Sequence, residues 1–193
     1  VALTLAEVLR KRDVVGCFVE CYGAGVAALS ATQRACISNM TPEYGSTCTL
    51  FPVDERTIEF LRMTGRAEEQ IALVEAYARA QGMWGGASAE GCRYSETVRL
   101  DLASVAPSVA GPSRPHERVS RSQLKVRFTE LCDRRGLSLD ACVRIDTKED
   151  AHELTHGAIA IAAVTSCTTA TDPAMMLQAG LLARNAARLG LRA

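Results

Sequence analysis

The stretch from His156 to Leu182, HGAIAIAAVTSCTTATDPAMMLQAGLL, decides how this chain is read. Ala158 to Val164 is a short apolar run with β-branched residues, the pattern of a buried strand. Asp172 followed by Pro173 is an N-cap with proline at the first helical position, so a helix starts there. Cys167 falls on the strand-to-helix turn between them. In open α/β sheets the ligand crevice lies beyond the carboxyl ends of the strands, and backbone N–H groups at a helix start favour a thiolate. Two readings of Cys167 stand at this point: a metal-ligating sulfur, or a small buried hydrophobe.

The same alternation runs outward from this stretch. Leu5, Val8 and Leu9 repeat at helical spacing, and Val14 to Glu20 reads as a strand closed by the turn Tyr22-Gly23-Ala24-Gly25. Ser30 and Gln33 form a capping box that opens a helix reaching Met40. Gly45 to Phe51 is rich in strand formers, and Pro52 with Asp54 starts the next helix. Ile58, Leu61 and Met63, then Ile71, Leu73, Val74 and Tyr77, describe two amphipathic helices split near Gly65. Beyond the loop from Gly82 to Ser88, Tyr94 to Leu100 reads as another strand. Pro107, Pro112 and Pro115 then interrupt regular structure. The expected organisation is an α/β unit over 1–102, a Pro/Ser-rich linker over 103–122, and the start of a further α/β unit over 123–193. That last unit begins with a helix from Leu124 to Arg135 and a strand from Ala141 to Ile145. It closes with a helix from Pro173 to Leu189, stopped by Gly190.

Composition narrows the function classes. The 193 residues contain 22 basic and 22 acidic side chains, so no global field recruits nucleic acid or an anionic membrane. No stretch reaches the roughly 18 uncharged apolar residues of a membrane span, and no secretory signal pattern opens the chain. Eight scattered cysteines without such a signal point to reduced thiols and a cytoplasmic setting.

His152-Glu153-Leu154-Thr155-His156 matches the H-E-x-x-H zinc signature. On a helix, two histidines four apart face one metal, and the glutamate between them is a general base, which is the chemistry of a zinc peptidase. Gly157 and the apolar run follow at once, and beyond His156 only Asp172 is acidic, so no third histidine or glutamate ligand lies downstream. The expectation is a polar helix end or loop before a strand. The third histidine, His116, lies in the expected linker and is expected to face solvent.

Three stretches resemble the aconitase family, in the branch of the bacterial A-type enzymes and the iron regulatory protein. They are VVGCFVECYGAGVAALSATQRACISNMTPEYGSTCTLFPVDE from Val14 to Glu55, with its N-M-x-P-E-Y-G block; Arg62 to Trp84, with AYARAQGMW; and the run around Cys167, similar to A-A-x-T-S-C-T-N before a proline-started helix. With AGPSRPHERV, the resemblance covers nearly the whole chain and is weakest between Gln123 and Glu153. It implies aconitase-like three-layer α/β units, with mixed or parallel sheets flanked by helices. It further implies an internal segment covering the family's second domain and the start of its third.

The same resemblance implies site residues. Cys167 matches the first of three cysteines that ligate a four-iron four-sulfur (4Fe-4S) cluster. Ser166 and Asn39 match polar residues lying against that cluster, and Glu43 matches a glutamate near its open iron. The implied reaction is that of an iron–sulfur hydro-lyase, aconitate hydratase, interconverting citrate and isocitrate through cis-aconitate. Alternatives are a hydratase or isomerase of a citrate analogue, of methylcitrate or phosphinomethylmalate type, and an RNA-binding form of the cluster-free protein. No pair among the other cysteines has C-x-x-C spacing, so the cluster needs two further cysteines from the remainder of the same polypeptide, and the segment alone is expected to be inactive. Thr169 stands where the family usually carries asparagine.

Overall fold

The computed structural model describes residues 1–85, 92–146, 151–159, 161–163 and 171–191. The chain is of the α/β class, built from helices and small two-stranded sheets. Helix α1 (Ala2–Lys11) buries Thr4, Ala6 and Leu9 and ends on Arg10 and Lys11, cations that suit its carboxyl end. Strand β1 (Phe18–Glu20) pairs in parallel with β2 (Cys48–Leu50), in the register Phe18 with Cys48 and Glu20 with Leu50. The connection between these strands carries α2 (Ala24–Ala27), α3 (Ala31–Asn39) and α4 (Thr41–Tyr44). A core of Ala6, Leu9 and Tyr44, flanked by Leu5, Val14, Val19 and Met40, joins α1 to this unit.

The expected caps form. Ser30 Oγ accepts from Gln33 N at 3.2 Å while Gln33 Oε1 accepts from Ser30 N at 3.1 Å. Asp54 caps α5 (Glu55–Met63) and also closes a buried clasp: Arg34 donates to its two carboxylate oxygens at 2.9 and 2.7 Å. The same guanidinium donates to the carbonyls of Leu29, Pro52 and Val26 at 3.1, 3.3 and 3.0 Å. Helix α3 is thereby fixed to the start of α5, and Gly65, at φ +78°, turns the chain into α6 (Glu68–Ala80).

Five expectations are corrected. Tyr94–Leu100 forms no ladder among the described residues. It is held by side chains instead, with Tyr94 stacked on Tyr22 at 5.1 Å between ring centroids and Glu96 paired with Arg12 at 2.9 Å. The 103–122 stretch is structured: β3 (Ser108–Ala110) and β4 (Arg118–Ser120) form an antiparallel hairpin, because the prolines fall outside both strands. Arg118 ties that hairpin to α1 through Glu7 at 2.6 Å, and His116 is half-buried, with its Nδ1 shielded from solvent.

His152 to Thr155 of the H-E-x-x-H motif is strand, not the expected polar helix end or loop. Helix α7 (Leu124–Arg134) is followed by a hairpin of β5 (Cys142–Asp146) and β6 (Ala151–Thr155), with His152 opposite Ile145. An extended chain separates residues by roughly 3.3 Å each, so His152 and His156 do not share a helix face and the zinc peptidase geometry is lost. Last, 158, 159 and 161–163 lie in no ladder, and Ile159 and Ile161 are 83% and 85% exposed. An apolar strand needs partners on its edges and faces, and the described elements supply none there. Helix α8 (Pro173–Arg188) forms as expected, capped by Asp172 through Ala174 N at 3.1 Å and followed by Gly190 at φ +72°.

Candidate functional site

The candidate site lies on the corner where α3 meets α4. Asn39, the last residue of α3, is exposed, and the chain turns at Met40 into the single turn Thr41–Tyr44, with Pro42 in its first positions. Gly45 ends that turn at φ +86°, where a Cβ would come within 3.0 Å of both Arg10 and Val15. Only glycine meets both demands without strain.

Glu43 lies half-buried on this turn. Its Oε2 is shielded from solvent with no hydrogen-bond partner among the described residues. A buried carboxylate oxygen left bare is costly, and such atoms in native proteins face a ligand, an ion or ordered water. The residues below it are fully engaged. Thr41 Oγ1 donates to the Ser38 carbonyl at 2.5 Å and lies 2.9 Å from Thr49 Oγ1, while the Tyr44 hydroxyl bonds to Thr49 Oγ1 and sits 3.2 Å from Thr41 Oγ1. Ser38 Oγ donates to the Thr49 carbonyl at 3.0 Å. Burial pushes the Tyr44 phenol above its usual range against these hydroxyl bonds, and the nearby Cys21, once ionised, and Glu43 add to the rise. Cys21, at the end of β1, is pushed up to about 11 by burial and then by Glu20. It is therefore a protonated thiol at neutral pH.

The amino end of α8 meets this unit at α3. Thr32 Oγ1 donates to Asp172 Oδ1 at 3.3 Å, and burial together with the Asp172 charge raises the Cys36 thiol on the same helix. Of the residues expected from sequence, Asn39 and Glu43 are thus brought to one corner. Cys167 and Ser166 lie outside the described residues. The hydroxyl set of Ser38, Thr41, Tyr44 and Thr49 was not anticipated. Its one sequence signal is the concentration of Ser, Thr and Tyr around N-M-T-P-E-Y and on the following strand.

Comparison with known proteins matches the model of the "Aconitase family (aconitate hydratase)" over residues 1–193. Aconitate hydratase A of Thermus thermophilus is 49% identical over 199 residues, covering 98% of this chain and 22% of that protein. Phosphinomethylmalate isomerase of Streptomyces viridochromogenes is 47% identical over 194 residues, covering 100% of this chain and 22% of that protein. Aconitate hydratase A of Legionella pneumophila is 46% identical over 190 residues, with 98% and 21% covered. The chain spans about a fifth of the length of these curated relatives.

Proposed function

The chain belongs to the aconitase family, and from that premise we propose that it is a segment of an iron–sulfur hydro-lyase acting on citrate, cis-aconitate and isocitrate. The observation that carries this reading is the Glu43 carboxylate, half-buried at the α3–α4 corner with Oε2 bare among the described residues; exposed Asn39 ends α3 at the same corner.

A shielded carboxylate oxygen with no partner among the described residues supports a polar group or ion bound at this corner, as the implied cluster would supply. In this reading Cys167 is one of its three thiolate ligands, Ser166 and Asn39 lie against it, and two further cysteines come from the rest of the polypeptide. A bound 4Fe-4S cluster with three thiolates supplies an open, Lewis-acidic iron for a hydroxyl and carboxylate. With the cluster bound, the Glu43 carboxylate would accept a hydrogen bond from a substrate hydroxyl or a water in the site and orient it. Asn39 offers both a donor and an acceptor from its amide and fixes the edge of the site. Glu43→Gln keeps size and removes the charge. The reading predicts loss of citrate dehydration, followed as cis-aconitate absorbance, with the cluster's visible absorption retained; full turnover in that variant removes Glu43 from the site.

The 47% identity to a phosphinomethylmalate isomerase supports a second substrate class, a citrate-like compound with a phosphinyl group. Competition between citrate and such an analogue in the same assay separates the two. The reading also divides the chain into a unit over 1–102 and the start of a further unit over 123–193. It sets the protein in the cytoplasm, a setting that fits cysteines held as thiols rather than disulfides. No helix among the described residues is long and apolar enough to cross a membrane.

A further inference from the structure

We infer that Thr49 is a positioning residue for Glu43, acting through the hydroxyls of Thr41 and Tyr44. The inference rests on the role proposed above for Glu43. A four-residue helix such as α4 makes almost no internal hydrogen bonds of its own, so its geometry has to be imposed from outside. Glu43 sits between Thr41 and Tyr44, and both neighbours reach the same atom, Thr49 Oγ1. The Thr49 main chain holds the preceding helix as well, its carbonyl accepting from Ser38 Oγ at 3.0 Å. One residue of β2 therefore holds the end of α3 through its carbonyl and both flanks of Glu43 through its hydroxyl.

The surroundings leave this anchor no substitute. Thr49 is 6% exposed, Thr41 7% and Tyr44 fully buried, so water does not replace a lost hydroxyl. β2 is itself registered against β1, with Thr49 opposite Val19, a residue packed on the Ala6–Leu9–Tyr44 core. Thr49 thus joins a fixed strand to a turn that lacks stiffness, while the bare Oε2 of Glu43 has no bond among the described residues to hold it in place. A misplacement on the order of 1 Å at a catalytic group costs about a hundredfold in rate.

The test uses the full-length polypeptide that carries this segment, loaded with its cluster, in three variants. Thr49→Val keeps shape and the main-chain carbonyl but deletes the shared hydroxyl; Thr49→Ser restores it; Glu43→Gln is the reference. The expected result is a fall in kcat of about tenfold to a hundredfold in Thr49→Val. KM should move less than threefold, cluster absorption should stay near wild type, the melting temperature should fall only modestly as the Tyr44 and Thr41 hydroxyls lose their shared partner, and Thr49→Ser should recover both the melting temperature and, to within threefold, kcat. Wild-type kcat in Thr49→Val alongside a collapse in Glu43→Gln overturns the inference alone. Thr49→Val that loses kcat and melting temperature together, with no recovery in Thr49→Ser, also overturns it, because the residue is then only structural. Full turnover in Glu43→Gln overturns the proposed role of Glu43 and the inference with it.

Discussion

Asp54 offers the sharpest test of how the first unit is held, because one carboxylate does two separable jobs. It neutralises Arg34 in a bidentate pair whose side chains are 4% and 10% exposed, and it accepts from Arg56 N at 3.0 Å and Thr57 N at 3.4 Å at the start of α5. Breaking one partner of a buried pair costs about 3–5 kcal/mol. Three carbonyls remain around the Arg34 guanidinium, which puts this case near the lower end, about 3 kcal/mol. Loss of an N-cap adds about 1 kcal/mol. Asp54→Ala should therefore cost about 4 kcal/mol, and Asp54→Asn, whose amide oxygen still caps, about 3 kcal/mol. Native-state hydrogen exchange at the amides of α3 and α5 reads these as accelerations on the order of a thousandfold and a hundredfold, at about 1.4 kcal/mol per tenfold. Accelerations below tenfold in both variants, or equal values in the two, would refute the division of labour.

Three further outcomes follow from named contacts. Partial burial works to raise the Glu7 carboxyl, but its bonds to Lys11 and Arg118 overcome that and leave it lowered, so its stabilising effect is complete above the ordinary glutamate range and is lost as pH falls through the lowered value. Exchange protection of the β3–β4 hairpin should fall in that acidic window, and Glu7→Gln should flatten the dependence. Gly45→Ala should destabilise the α3–α4 corner by about 1–2 kcal/mol from its left-handed backbone, with additional loss from the crowded Arg10 and Val15, seen as a lower denaturation midpoint. Alkylation at neutral pH, mapped by mass spectrometry, should label the exposed Cys17 and spare Cys21, whose thiol is pushed up to about 11; equal labelling would contradict its burial.

Helix starts were legible in the sequence because a cap is a contact between residues two or three apart. Ser30 with Gln33, Asp54, and Asp172 with Pro173 each stand where the pattern put them. Strands were less legible because a strand is defined by its partner. Tyr94–Leu100 and the run after Ala158 have strand composition without a ladder among the described residues, whereas His152 to Thr155 is a strand because Cys142–Asp146 lies beside it. The hairpin at 108–120 was hidden by prolines that sit outside its paired residues. At the candidate site, the N-M-x-P-E-Y block pointed to Glu43 and Asn39. The bonds from Thr49 to residues 38, 41 and 44 depend on how β2 folds back under α3, which no local pattern encodes.

The most direct test of the central claim is anaerobic purification of the native polypeptide carrying this sequence, with cluster absorption and citrate–isocitrate interconversion measured on the same sample and on Cys167→Ser. The account predicts an iron–sulfur spectrum and turnover in the wild type, with both lost in the variant. Turnover at the wild-type rate in Cys167→Ser, or a wild-type polypeptide that holds a cluster and converts neither citrate nor a phosphinyl analogue, contradicts it.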